Sequence, residues 1–106
     1  MTLESDRKKA IKEYMKLMGY EVYPIYNGAV YDIRLRRYRK SGTRPGVADL
    51  FCVKPGIRSI WIETKGNGKQ TPDQAQFEAF IKGIPYTAYV LARSVSDIEK
   101  ELTMEA

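Results

Sequence analysis

The stretch Gly46-Val-Ala-Asp49-Leu-Phe-Cys-Val-Lys-Pro-Gly-Ile-Arg-Ser-Ile-Trp-Ile-Glu63-Thr-Lys65-Gly-Asn-Gly-Lys-Gln-Thr-Pro-Asp-Gln74 decides how the chain is read. Two apolar runs lie inside it, residues 50–53 and 60–62, and the turn-forming pair Pro55-Gly56 separates them. Both read as strands. A hairpin joining them brings Asp49, at the start of the first, to the same end of the sheet as Glu63, at the end of the second. Side chains alternate faces along a strand, so Glu63 and Lys65 share one face while Ile62 and Thr64 share the other. Two carboxylates and an ammonium then converge beside the glycine-rich segment 66–69. One explanation is a pair of solvated strand ends with Lys65 as their salt-bridge partner. The other is a site for a hard divalent cation such as Mg2+, which binds through one or two carboxylates together with waters and substrate phosphate.

The wider pattern bears on that choice. An Asp followed by a hairpin and Glu-x-Lys resembles the core of the PD-(D/E)xK nuclease pattern, and the flanking residues resemble the VRR-NUC family, the virus-type replication-repair nucleases. The family's Gly-x-x-Asp element is matched by Gly46-Val-Ala-Asp49, its Glu-x-Lys by Glu63-Thr-Lys65, and its glutamine-bearing helix start by Thr71-Pro-Asp-Gln74. Its acidic helix residue is matched by Glu4, which stands close to the chain start. The segments Gly83-Ile-Pro-Tyr-Thr-Ala-Tyr-Val and Ser94-Val-Ser-Asp97 are similar to its last strand and helix.

The resemblance spans nearly the whole chain and implies an α/β, restriction-endonuclease-like fold, a mixed β-sheet flanked by helices. It implies a DNA endonuclease dependent on Mg2+, with Mn2+ able to substitute. Asp49, Glu63 and the Thr64 carbonyl are then expected as metal ligands, with Glu4 as an outer one. Lys65 is expected to orient the attacking water, and Gln74 to position water or phosphate. Cleavage leaving 5′-phosphate and 3′-hydroxyl ends, a branched substrate such as a four-way junction, and a homodimer are further implications.

Composition sets the outer limits. At 106 residues the chain has room for one domain, residues 1–106, with a single core. Hydrophobic residues make up 43% of it, which suits a folded chain rather than a disordered one. A formal charge of +5 favours a polyanionic partner such as DNA. With no histidine and one cysteine, a zinc finger, a histidine-based catalytic site and an internal disulfide are excluded. Cys52 lies in an apolar run and is expected as a buried thiol. No signal-peptide pattern or membrane-length apolar run is present, so the chain is expected in the cytoplasm, with its DNA.

Working outward, residues 3–18 carry Ala10, Ile11, Tyr14, Met15 and Met18 at helical spacing, with Thr2 as a possible N-cap and Gly19 as the stop. Glu4 lies seven residues before Ile11, on the same stripe. Residues 20–26 read as an edge strand because of Pro24, and Asn27-Gly28 as a turn. Residues 31–39 then alternate, with Ile33 and Leu35 on one face and Arg34 and Arg36 on the other. From Arg34 to Arg44 run six cations and no acid: Arg34, Arg36, Arg37, Arg39, Lys40 and Arg44. With Lys69 they are candidates for gripping DNA phosphates.

On the far side, Thr71-Pro-Asp-Gln74 has the form of a capping box, which explains Gln74 without any catalysis. Phe77, Phe80 and Ile81 are expected as that helix's buried stripe, and Gly83 as its end. Residues 86–91 read as a buried strand, and Ser94 as the cap of a last helix through Leu102. The order is α-β-β-β-α-β-α. Two alternatives remain open on sequence alone: a catalytically silent nucleic-acid-binding module, and a nuclease preferring flaps or linear duplex. Tyrosine-rich residues 20–31 are a candidate dimer contact. Removing either strand-end carboxylate is expected to relieve repulsion and leave the fold as stable or slightly more so.

Overall fold

The computed structural model describes residues 3–26, 29–40 and 44–103, with the backbone alone described at residues 3, 4, 29, 30, 39 and 40. Thr2, the Asn27-Gly28 turn and Ser41-Gly42 lie outside the described residues, as do the side chains of Glu4, Arg39 and Lys40. The elements in order are α1 (Leu3–Leu17), β1 (Glu21–Pro24), β2 (Ala29–Asp32), β3 (Arg37–Lys40), β4 (Leu50–Lys54), β5 (Ile57–Thr64), α2 (Pro72–Lys82), β6 (Thr87–Ala92) and α3 (Val95–Thr103).

Four strands form the main sheet in the order β1-β4-β5-β6. The β4–β5 hairpin is at its centre, with Leu50 opposite Ile62 and Cys52 opposite Ile60. β1 pairs antiparallel to β4 at one edge, with Pro24 opposite Leu50, where its missing N–H is tolerated. β6 pairs parallel to β5, so α2 is the crossover between them. The sheet is mixed, as expected.

Alternation sorts two cores. Leu50, Cys52, Ile60, Ile62, Ala88, Val90 and Ala92 face one side, where Ile11 and Met15 of α1 and Ile98 of α3 close over them. Tyr89 faces the other side with Val47 and Ala48, where Phe77 and Ile81 of α2 cover them and Trp61 and Leu91 pack alongside. Cys52 is fully buried, and burial pushes its thiol up to about 11, as expected of an inert core cysteine. α1 stops at Gly19, whose φ of +93° suits a residue without a side chain. There Tyr20 N donates to the Met15 carbonyl, and Lys54 Nζ to the Met18 carbonyl.

Three expectations need correction. Residues 31–39 are not one strand: residues 33–36 are a turn, and β2 and β3 form a separate two-stranded sheet. Asp32 Oδ1 accepts hydrogen bonds from Arg34 N (2.9 Å) and Leu35 N (3.3 Å), which folds the chain back where alternation suggested continuation. Phe80 is 56% exposed rather than buried, and the Arg44 guanidinium lies over its ring at 5.1 Å. Tyr86 is 87% exposed, with φ of 58°, and precedes the last strand instead of opening it.

Candidate active site

The register of the central hairpin assembles the site. With Leu50 opposite Ile62, the next position outward sets Asp49 against Glu63, on the face that α2 covers. Asp49 Oδ2 accepts two hydrogen bonds from Thr64, from its amide at 2.9 Å and its hydroxyl at 2.8 Å. Thr64 is fully buried, so these bonds fix the aspartate against the end of β5. Glu63 is 3% exposed, and its Oε1 is enclosed by protein. Lys65 follows, half-buried, with its amide donating to the Ala92 carbonyl and extending the β5–β6 pairing by one bond.

Tyr89 reports on the same neighbourhood from β6. Burial pushes its hydroxyl up to about 12, opposed by a hydrogen bond from Gln70 and reinforced by the charges of Glu63, Glu78 and Asp49. Gln70 Nε2 reaches both the Tyr89 hydroxyl (3.3 Å) and Glu78 Oε1 (3.0 Å). Glu78 is held below the usual carboxylate range, chiefly by its hydrogen bond with Lys82 at 2.7 Å. The charges of Asp49 and Glu63 therefore both act on this phenol.

Gly46 ties this end of the sheet to α2. Its φ is +83°, and a Cβ there would stand 2.3 Å from the carbonyl carbon and oxygen of Asp73 and 2.7 Å from Gln74 N. Only glycine fits so close to another backbone. The contact brings the Gly-x-x-Asp segment against the start of α2, and with it Gln74. That residue completes the capping box with Thr71: Gln74 N donates to Thr71 Oγ1 at 3.2 Å, and Gln74 Oε1 accepts from Thr71 N at 2.9 Å. The bond engages the side-chain oxygen and leaves its amide nitrogen as the group able to donate toward a ligand.

Two residues that the sequence pattern does not single out hold the segment after Lys65. Arg7 of α1 donates from Nη1 to the carbonyls of Lys65 (3.2 Å) and Gly66 (2.9 Å). Arg93, just past β6, donates to the same Gly66 carbonyl at 2.8 Å. The backbone of residue 4 lies one turn before Arg7 on α1.

The cations divide. Arg44 packs on α2 beneath the site, over Phe77 at 5.7 Å and Phe80 at 5.1 Å. Lys69 is exposed beyond Gly66. Arg34, Arg36 and Arg37 are exposed on the β2–β3 hairpin, away from the sheet, and the backbone of Arg39 and Lys40 continues along β3.

A solved structure described as a "VRR_NUC domain" superimposes on 97% of this chain and 97% of its own, with a TM-score of 0.66 and 21% sequence identity. The chain has the VRR-NUC fold. Comparison with protein-family models and with curated proteins gives no match. Within the VRR-NUC fold, the strand register places Asp49, Glu63 and Lys65 at the open end of the central hairpin. Among the described residues, no group of three or more His, Cys, Asp or Glu side chains is placed to hold a metal ion. The donors available are two carboxylates and the Thr64 carbonyl. That all-oxygen set suits Mg2+, which keeps several waters and takes few protein ligands.

Proposed function

We propose that this chain is a Mg2+-dependent DNA endonuclease that hydrolyses phosphodiester bonds at branched DNA, four-way junctions foremost. The observation that carries the reading is the pairing of Asp49 with Glu63 at one sheet end, locked by the two Thr64 hydrogen bonds. The VRR-NUC fold supports it.

Asp49, Glu63 and the Thr64 carbonyl would hold the ion. Bound there, Mg2+ or Mn2+ supplies Lewis-acid polarisation of the phosphate and a water of lowered pKa. The chain's own part is positional. Thr64 fixes one Asp49 oxygen and leaves Oδ1 for the ion. The burial of Glu63 keeps its carboxylate in a place of low dielectric, where its charge acts strongly on what binds beside it. Lys65 places a positive charge on the same side, oriented by the Arg7 and Arg93 grip on the Lys65 and Gly66 carbonyls. There it orients the attacking water and offsets charge on the phosphate oxygens. Gln74 offers its amide nitrogen to water or phosphate, while Arg44 and Lys69 bind the DNA backbone on either side.

Symmetric cutting of a junction calls for two sites, and a homodimer supplies them. Of the tyrosine-rich segment, Tyr20 is buried in the core under α1 and α3 with Val22 against it, and Ile25 packs against the core under α2, which leaves Tyr23, Tyr26 and Tyr31 on the surface. Those exposed rings are the candidate contact. Among the described residues no helix is long and apolar enough to cross a membrane.

The test is a panel of labelled four-way junctions, flaps and linear duplexes, incubated with Mg2+, Mn2+ or EDTA. Metal-dependent cutting, strongest on the junction and leaving 5′-phosphates, is the expected result. Binding without cutting under every metal condition would establish the silent module instead.

A further inference from the structure

We propose that the β2–β3 hairpin is a nucleic-acid arm whose apolar tip, Ile33 and Leu35, inserts against unstacked bases where a duplex is interrupted. Arg34, Arg36 and Arg37 hold the flanking phosphates. The proposal deepens the nuclease reading and rests on it for the class of ligand.

Among the described residues, the arm pairs with no strand of the main sheet, and neither buried core includes a described side chain of it. Its tip is nevertheless built. Asp32 Oδ1 accepts from Arg34 N and Leu35 N, and Arg36 sits at φ 52°, a left-handed conformation that costs energy for any residue but glycine. Behind the tip, Tyr31 and Tyr38 face each other across the strands with ring centroids 5.2 Å apart, edge to face. A loop kept only for solubility needs no such stiffening. The stiffened turn presents Ile33 at 81% exposure and Leu35 at 53%, next to three exposed arginines.

Three partners could cover that tip. Two arms meeting across a two-fold axis would bring the arginines of both copies together, which like-charge repulsion opposes. An anionic membrane suits basic and apolar side chains alike, but gives the carboxylate site nothing to act on. Nucleic acid satisfies both halves. Aliphatic wedges that enter between base steps, with cations on the neighbouring phosphates, are an established way of engaging a distorted duplex. Unstacking is least costly where pairing is already broken, so such a tip selects gaps and junctions over continuous duplex. The base of the arm is also tethered to the site by a short segment. From the end of β3 at Lys40 to Asp49 the chain can span at most about 30 Å, roughly one turn of duplex.

The test uses the full chain in EDTA, so that no cutting occurs, with Ile33→Ser/Leu35→Ser and Arg34→Gln/Arg36→Gln/Arg37→Gln variants. Binding is measured on a continuous duplex, a gapped duplex and a four-way junction, each interrupted DNA carrying 2-aminopurine at the discontinuity. Co-sedimentation with phosphatidylserine vesicles and sedimentation of the protein alone complete the set. The native chain should bind interrupted DNA more tightly and raise 2-aminopurine fluorescence.

The serine variant should lose about tenfold on interrupted DNA, little on continuous duplex, and the fluorescence rise with it. Its circular dichroism should be unchanged, since both side chains are exposed. The glutamine variant should weaken on every DNA. Unaltered affinity and fluorescence in the serine variant would overturn the proposal. So would an equal loss on all DNAs, a tip-dependent affinity for vesicles without one for DNA, or a tip-dependent change in oligomeric state. A native chain that unstacks bases in EDTA yet never cuts with metal would keep the arm and remove the nuclease.

Discussion

Two antiparallel hairpins of similar size are put to opposite uses in this molecule. The β4–β5 hairpin is walled by α1 and α3 on one face and by α2 on the other, and its acidic residues stand together at the end away from the turn. Among the described residues, the β2–β3 hairpin contributes no side chain to either core, and it carries arginines along its turn. The difference follows from what each charge has to do. On the proposed reading the first hairpin's carboxylates hold a metal ion and must be fixed in place: Thr64 holds Asp49 by two hydrogen bonds, and Glu63 is buried. A cation that gathers a polyanion works from the surface, where it meets phosphate in water. Substitutions at the first hairpin should therefore act on chemistry and folding, and those at the second on binding.

The largest effect is expected on cutting. Asp49→Asn and Glu63→Gln each remove anionic charge from the proposed metal site while keeping size. If the ion's stabilisation of the transition state is worth several kcal/mol, cleavage should fall about a thousandfold or more. Removing Arg36 and Arg37 should leave the single-turnover rate at saturating DNA within about tenfold, the range of a binding effect. A thousandfold loss from the arginines would erase the distinction between the hairpins.

Next comes folding. Gly46→Ala would drive a Cβ into the Asp73 backbone at a positive φ, at a cost of about 3 kcal/mol. For a domain of this size that lowers Tm by roughly 10–20 °C in a thermal melt. Gly56, at φ +75° with nothing within 4 Å of a Cβ, is the control: Gly56→Ala should cost only about 1 kcal/mol. Equal losses would mean that contact with α2 contributes nothing.

A third expectation reverses what charge alone suggests. Relief of carboxylate repulsion would make Asp49→Ala neutral or stabilising. The two hydrogen bonds from Thr64 argue otherwise, because alanine leaves a buried amide and hydroxyl without their acceptor. Denaturant titration should show Asp49→Ala about 2 kcal/mol less stable than the native chain, with Asp49→Asn between them.

The smallest effect on the fold belongs to Arg36→Gln/Arg37→Gln, within about 0.5 kcal/mol in stability. Its signature is the salt dependence of DNA binding, whose log–log slope should become shallower by about 0.9 for each phosphate no longer neutralised. An unchanged slope would mean that the arm faces away from DNA.

Much of this was legible in the sequence where the signal is local. The period-two runs on either side of Pro55-Gly56 place Asp49 and Glu63 together, and Thr71-Pro-Asp-Gln74 spells out the capping box that α2 uses. What escaped is of two kinds. Some turns hide inside a plausible alternation: residues 31–39 alternate well enough for a strand, and only the Asp32 side chain marks the reversal. Tyr86 is similar, an aromatic residue adjoining an apolar run but held at positive φ. Other features depend on distant backbone. Arg7 and Arg93 find the Gly66 carbonyl from separate elements, and Gly46 meets Asp73 across the top of α2. Phe80 matches the apolar stripe of its helix, and it is Arg44, thirty-six positions earlier, that covers it. No periodicity encodes those encounters.

The central claim is that Asp49 and Glu63 form one metal site. Mn2+ binding, followed by electron paramagnetic resonance or calorimetry without DNA, tests it most directly. The native chain should bind Mn2+, Asp49→Asn and Glu63→Gln should each weaken binding by about tenfold or more, and the double variant should lose little beyond either single one. Unchanged Mn2+ affinity in both single variants, with cutting still dependent on metal, would place the site elsewhere and contradict the account.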